Sequence, residues 1–277
     1  MSDFDDWVGR SQTVTDTLDP ARTNALSVAL GGAGGLKAGD ALPLLHHWLY
    51  FWDVKPPEGL GADGHPAKGG FLPPIPLPRR MWAGGRLTFH KPLLVGQGVT
   101  KTSTILSVTE KTGRTGTLVF VTVRHELDAG KGVAVTEEQD LVYRAPASAS
   151  LPMPVGGPVP EADWVEQVDP NSVLLFRYSA LTMNGHRIHY DRPYAIDEEA
   201  YPALVVHGPL QATLLIDIAQ RNLSDPITGF SFRGQQPAFD GVALHVCGTA
   251  SASGAEVWTQ QGEAKNMVAT VTTGSQA

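Results

Sequence analysis

Between Pro146 and Pro160 the chain carries five prolines, two adjacent glycines and no charged side chain. Proline fixes φ and removes a backbone N–H, so this stretch resists helix and sheet and favours an extended connector. It divides the 277 residues into a first unit at 1–145, a linker at 146–162 and a second unit at 163–277. In each unit helical segments come first and strands follow. That order fits an α+β fold better than a βαβ alternation.

In the first unit, Asp19-Pro20 is an N-cap followed by proline at the first helical position, which predicts a helix to Leu30. Residues 42–53 are apolar nearly all round and predict a buried helix. A Gly/Pro-dense loop follows at 56–78, then strand patterns at 100–109, 116–127 and 133–144. In the second unit, residues 208–222 predict a helix, with Pro209 in its first turn and Leu210, Leu214, Leu215 and Ile218 on one face. Strand-like stretches follow at 228–233, 241–251, 256–262 and 266–273. A long apolar helix followed by antiparallel strands describes a sheet wrapped around a central helix. Present twice, it gives two such units side by side.

The hydrophobic content of 42% and charged content of 18% are ordinary for a globular chain. A formal net charge of -7 disfavours a nucleic-acid surface, which needs clustered Lys and Arg. The single cysteine, Cys247, excludes an internal disulfide framework and any multi-cysteine zinc site; its strand-like surroundings predict a packed thiol. The N-terminus, Met1-Ser2-Asp3-Phe4-Asp5-Asp6, lacks the basic and apolar regions of a signal peptide. No apolar run approaches the roughly 18 residues of a membrane span. These features predict a cytoplasmic protein with no membrane partner. The glycine run Gly31-Gly32-Ala33-Gly34-Gly35 lacks a preceding strand and a Lys-Ser/Thr ending, so it is a turn rather than a phosphate loop.

Chemistry concentrates in two segments. Asn184-Gly185-His186-Arg187-Ile188-His189-Tyr190-Asp191 puts imidazoles, an amide and a carboxylate into one short turn. Eighteen residues past His189, His207-Gly208-Pro209-Leu210 starts the buried helix, whose first N–H groups form an anion site. A base beside an oxyanion donor is what proton chemistry next to a carbonyl requires.

Residues 179–191 and Val205-Val206-His207-Gly208-Pro209-Leu210 resemble the MaoC-like hydratases and dehydratases. They are most similar to the double-hotdog branch holding type-two hydroxyacyl-thioester dehydratases and mesaconyl-CoA or itaconyl-CoA hydratases. Leu60-Gly61-Ala62-Asp63-Gly64-His65-Pro66 and Leu77-Pro78-Arg79-Arg80-Met81-Trp82-Ala83-Gly84-Gly85 resemble the N-terminal unit of that branch. The resemblance implies paired hotdog folds, two antiparallel sheets each around a long central helix. It also implies reversible addition of water to an α,β-unsaturated acyl-CoA without a cofactor or metal. The acyl group it suggests is a short branched dicarboxylyl one: mesaconyl, itaconyl or citramalyl. A homo-oligomer is compatible with it. One position departs from the pattern: the Asp that most such hydratases carry five residues before the His is Asn184 here, and an amide cannot act as a base.

The resemblance therefore concentrates the chemistry on His189. An imidazole titrates near neutrality, and His189 is assigned both proton transfers, one from water and one to the α carbon. Asn184 would hold the water or the thioester oxygen. Gly208, read as the N-cap before Pro209, would donate its N–H to the oxyanion, aided by the helix dipole. Asp191 either orients His189 or is a turn residue bonded to nearby backbone. His186 and His207 are open between chemistry and packing or capping. Arg187, Arg233, Arg79, Arg80 and Arg86 are candidates for the CoA phosphates or a substrate carboxylate, since guanidinium binds both bidentately.

Three alternatives remain at this level. His186, His189, Asp191 and His207 are all potential metal ligands, although their spacing matches no strong motif. A thioesterase on the same fold would use Asp191 as nucleophile or base. A non-catalytic acyl-binding protein would bind without turnover.

Overall fold

Runs rich in Val, Ile and Thr and bounded by glycine form antiparallel strands. The computed structural model describes residues 4–113, 116–146 and 150–274. Residues 1–3 of the acidic N-terminus and 147–149 of the linker lie outside the described residues. The first half supplies β1 (Ser11–Thr17), α1 (Pro20–Ala29), β2 (Arg79–Phe89), β3 (Gly98–Gly113), β4 (Gly116–Asp128) and β5 (Val133–Arg144). The second supplies β6 (Trp164–Val168), α2 (Ser172–Thr182), α3 (Gly208–Asn222), β7 (Ile227–Gly234), β8 (Leu244–Ser251), β9 (Gly254–Gln261) and β10 (Ala264–Thr273). The described linker residues between β5 and β6 carry no helix or strand.

The strand order is β1-β3-β4-β5-β2-β7-β10-β9-β8-β6, so the sheets of the two halves join edge to edge into one ten-stranded sheet. The seam is the antiparallel pair β2–β7, running from Gly84↔Arg233 to Thr88↔Gly229. It closes both inner edges, which would otherwise expose unpaired backbone. A Cβ on Gly84 would lie 2.5 Å from the Phe232 carbonyl oxygen, so the seam requires glycine there. Each half thus keeps its own antiparallel sheet within a shared ladder.

In the second half the central helix is α3. Leu210, Leu214, Leu215 and Ile218 are buried as expected, along with Ala212, Ile216 and Ala219, and the helix packs on β7 to β10. The first half differs from the sequence expectation. Residues 42–53 are buried but do not form a helix. Only one 3-10 turn forms, at His46–Leu49, because Leu45 and Phe51 take left-handed backbone, with φ of 64° and 61°. Such conformations break an L-residue helix at both ends. What favours them is side-chain pairing: His46 Nδ1 meets Thr23 Oγ1 at 2.7 Å on α1, while His47 Nε2 and Trp48 Nε1 each reach Glu137 at 3.0 Å on β5. Among the described residues the only α-helix of this half is α1, capped as expected by Asp19, whose carboxylate accepts from the Ala21 and Arg22 N–H groups.

One apolar core links the halves through Leu26, Leu49, Leu87, Leu175, Leu215 and Phe230. A smaller one, with Ile75, Ile105, Val121, Val123 and Tyr143, lies in the first half. Cys247 is fully buried in β8, and burial pushes its thiol up to about 11, consistent with the packed thiol expected. Among the described residues no helix is long and apolar enough to cross a membrane.

Candidate active site

The polar turn is built by the way α2 ends. Met183 adopts left-handed backbone (φ 52°) and reverses the chain, so that the Asn184 N–H bonds the Ser179 carbonyl at 2.9 Å. Asn184 Oδ1 then accepts the His186 N–H at 3.0 Å, an Asx turn that leaves the amide NH2 as the free donor. A 3-10 turn, Arg187–His189, follows and carries His189 inward.

His189 is buried, and its Nδ1 lies 2.7 Å from the Val205 carbonyl oxygen. A carbonyl can only accept, so Nδ1 carries the proton and Nε2 keeps its lone pair. Burial lowers the ring's pKa to about 4, partly offset by the Val205 carbonyl and helped by the nearby His65. At neutral pH this histidine is therefore an uncharged base. Its ring stacks on His207 at 3.7 Å, and His207 directly precedes α3.

His189, Asn184, His186 and Gly208 line one cavity of about 1370 Å³, together with residues of the first half. His207 is the N-cap of α3 and Gly208 the first helical residue, so the cap falls one position earlier than the sequence predicts. The consequence for the N–H is unchanged, since first-turn donors lack an intrahelical acceptor. A Cβ on Gly208 would make only ordinary contacts, 3.8 Å to Met267 Cε and 4.0 Å to the Trp82 carbonyl oxygen.

The other predicted residues are placed elsewhere. His207 is fully buried and off the cavity wall; its Nε2 meets Ser179 Oγ at 2.8 Å, so it supports the His189 ring instead of meeting a ligand. Asp191 is also off the wall. Its carboxylate accepts from Arg187 Nε at 2.9 Å and the Tyr194 N–H at 3.2 Å, the turn role, and Arg187 holds its carboxyl below the usual range. Arg187 is a clamp: besides Asp191 it donates to the Ala62 carbonyl at 3.1 Å and lies over the Tyr194 ring. Arg233 is exposed on β7, because strand alternation turns its neighbour Phe232 inward. Arg86 is paired with Glu138 and Asp140 away from the cavity. Arg79 lines the cavity but is buried against Glu199, with Nε 2.7 Å from Oε2.

Asp63 and His65, which in the sequence carry only the resemblance of the N-terminal unit, are brought into the site by the fold. Gly64 and Gly185 face each other, and a Cβ on Gly64 would collide with the Gly185 carbonyl. The Arg187 N–H bonds the Asp63 carbonyl at 2.9 Å, locking the two loops together. Asp63 Oδ2 meets His65 Nδ1 at 2.9 Å, and the His65 ring lies 4.1 Å from that of His186, which meets His189 edge-on at 5.4 Å. Burial works to raise the Asp63 carboxyl, but the His65 hydrogen bond holds it low. Burial lowers both His65 and His186, the latter to about 2, so the cavity wall carries neutral imidazoles. Donor atoms of Asp63, His65 and His186 lie within 4.8 Å of one another, a spacing that could hold a metal ion. The direct Asp63–His65 hydrogen bond already uses one donor atom of each. A base with a fixed tautomer, an amide donor and a helix N–H on one apolar-walled cavity suit proton transfer beside a carbonyl.

Comparison with known proteins agrees. The Htd2 family, hydroxyacyl-thioester dehydratase type 2, matches residues 45–240. A mesaconyl-C(4)-CoA hydratase of Chloroflexus aurantiacus is 48% identical over 241 residues, covering 86% of each chain. Among solved structures, HtdX of Mycobacterium tuberculosis superposes with a TM-score of 0.67 at 18% identity, over 94% of this chain and 99% of its own. A second Mycobacterium tuberculosis protein, described as having a double hotdog fold, gives 0.55 at 15% identity over 96% of each chain. The fold is a MaoC-like double hotdog, in which, among the described residues, only the second half has a long central helix, and the chain belongs to the hydroxyacyl-thioester dehydratase type 2 family.

Proposed function

We propose that His189 is the acid–base group of this hydro-lyase, and that its substrate is a short branched dicarboxylyl-CoA such as mesaconyl-, itaconyl- or citramalyl-CoA. The enzyme hydrates and dehydrates CoA thioesters, as its family and its 48%-identical relative indicate. The observation that carries the residue assignment is the Val205 hydrogen bond, which leaves His189 Nε2 unprotonated on the wall it shares with Gly208.

In the hydration direction, Nε2 removes a proton from water while the water oxygen bonds the β carbon. The C=C electron pair moves toward the thioester, and the oxygen that gains charge accepts the Gly208 N–H. One such donor in a dry site contributes about 3 kcal/mol to the transition state. The enolate then takes a proton at the α carbon, the C=O re-forms, and His189 returns to its neutral state. His189 can serve both transfers, since one proton enters it and one leaves. Asn184 orients the water or the thioester oxygen through its free NH2. His65, its Nδ1 tied to Asp63, gives the water a second polar neighbour where position 184 lacks a carboxylate.

The thioesterase alternative loses its nucleophile, because the Asp191 carboxylate is bound to Arg187 and lies off the cavity. We extend the proposal to a cytoplasmic location and leave self-association open. The test is a panel of enoyl-CoA and 3-hydroxyacyl-CoA thioesters, followed by loss or gain of conjugated-thioester absorbance and by assay for free thiol. Hydration without thiol release supports the reading. Thiol release, or binding without turnover, refutes it.

A further inference from the structure

The cavity wall contains a cation with no carboxylate partner among the described residues. Arg79, Arg86, Arg124, Arg187, Arg192 and Arg221 each pair with a carboxylate. Arg80 lines the cavity half-buried and, among the described residues, forms no ion pair. Its register partner across the β2–β5 ladder is Tyr143, so the two side chains leave the sheet on one face. Tyr143 is fully buried, also lines the cavity, and its hydroxyl faces Arg80 without a hydrogen bond to any other described residue. A half-buried guanidinium without a counter-charge beside a buried hydroxyl costs free energy, and an adjoining anion would engage both.

The position of Arg80 says which anion. Arg80 lies two residues before Trp82 on the same face of β2, and the Trp82 carbonyl oxygen is 4.0 Å from where a Cβ on Gly208 would stand, so Arg80 sits near the α3 N-terminus on the wall that also holds His189. The phosphates of CoA are separated from the thioester by the whole pantetheine arm and would not reach a cation at this point while the acyl group reacts. The anion must belong to the acyl group itself.

We propose that Arg80 and Tyr143 form the subsite that binds the free carboxylate of a dicarboxylic monothioester. The guanidinium fork takes both oxygens and the phenol donates a further hydrogen bond. An uncharged acyl chain leaves both donors unpaired, which makes the pair a specificity determinant. This rests on the hydration reading, and the experiment separates the two.

Wild-type protein, Arg80→Met, Arg80→Lys and Tyr143→Phe are compared by kcat/KM on mesaconyl-CoA and on crotonyl-CoA, its uncharged counterpart. Arg80→Met lowers the mesaconyl-to-crotonyl ratio roughly 100-fold, mainly through KM; Arg80→Lys restores part of it. Tyr143→Phe, which keeps the ring and its packing, lowers the ratio roughly 10-fold. Equal loss on both substrates, or none, overturns the subsite. Wild-type protein that hydrates neither thioester overturns the hydration reading instead.

Discussion

The two halves share a plan and differ in what fills the sheet. In the second, α3 runs unbroken through the sheet and presents its N-terminus to the cavity. In the first, the equivalent apolar segment stops after one 3-10 turn, and the space holds a polar cluster in which His47 and Trp48 bind the buried Glu137. A continuous helix supplies free N–H donors at a fixed point, and a broken one does not. The first half therefore contributes wall, clamp and charge, through Asp63, His65, Arg80 and Tyr143, while the second supplies His189 and Gly208, the proposed base and oxyanion donor. Duplication of a fold need not duplicate its chemistry.

The strongest way to break this comparison is His189→Ala. Turnover should fall by about 1,000-fold while circular dichroism is unchanged, as for loss of a general base. Near-normal rates would move the chemistry out of the second half. The matching change in the first half, Glu137→Ala, should act on stability. Burial opposes its charge, but the His47 hydrogen bond holds the Glu137 carboxyl down at about 2. Removing it leaves His47 and Trp48 without an acceptor, at a cost of about 3 kcal/mol in denaturant titration. Loss of turnover without loss of stability would make that cluster catalytic.

Gly208→Ala sharpens the case for the α3 N-terminus. The added methyl meets no protein atom closer than 3.8 Å, so the fold should tolerate it. The methyl adds bulk beside the N–H on the cavity wall, and kcat should fall about 30-fold with little change in melting temperature. Asn184→Ala should cost about 10-fold in kcat, because the amide orients rather than transfers a proton.

The smallest effect is in the pH profile. His189 is depressed to about 4, so kcat/KM should stay flat from pH 8 to about 5 and fall only near 4, where an unperturbed imidazole would already lose it near 6.5. Stability follows the same sign. Burial depresses His46 and His125 in the first half, both to about 4, and His186 and His189 in the second. The unfolded chain takes up protons at these sites first. Stability is thus complete above about pH 6.5 and declines as pH falls toward 4. Chemical denaturation across that window, monitored in each half by tryptophan or histidine probes, would show whether the halves weaken together.

Much of this was legible in the sequence because it depends on neighbours. The Asp19 cap, the 3.6-residue period of residues 208–222 and the strand runs each specify local backbone, and α1, α3, β3 to β5 and β7 to β10 formed close to the expected bounds. By contrast, β1, β2 and β6 were not expected and owe their strand form to partners elsewhere in the sheet. The His189 and Gly208 motifs were legible as candidates for the same local reason, each sitting at a helix end that its own residues define. Tertiary structure decided what depends on partners far along the chain. Residues 42–53 have a buried-helix pattern, yet Thr23 and Glu137 bend them into a single turn. Arg187, Asp191 and His207 share the motif's sequence, but hydrogen bonds to each other, Ala62 and Ser179 spend them on support. Asp63 and His65 enter the site, and Arg80 remains uncompensated, only because two halves joined at β2–β7 bring loops more than a hundred residues apart into one wall. Periodicity and capping are short-range and encoded residue by residue; burial, pairing and electrostatic compensation are settled only when the whole chain has closed around the cavity.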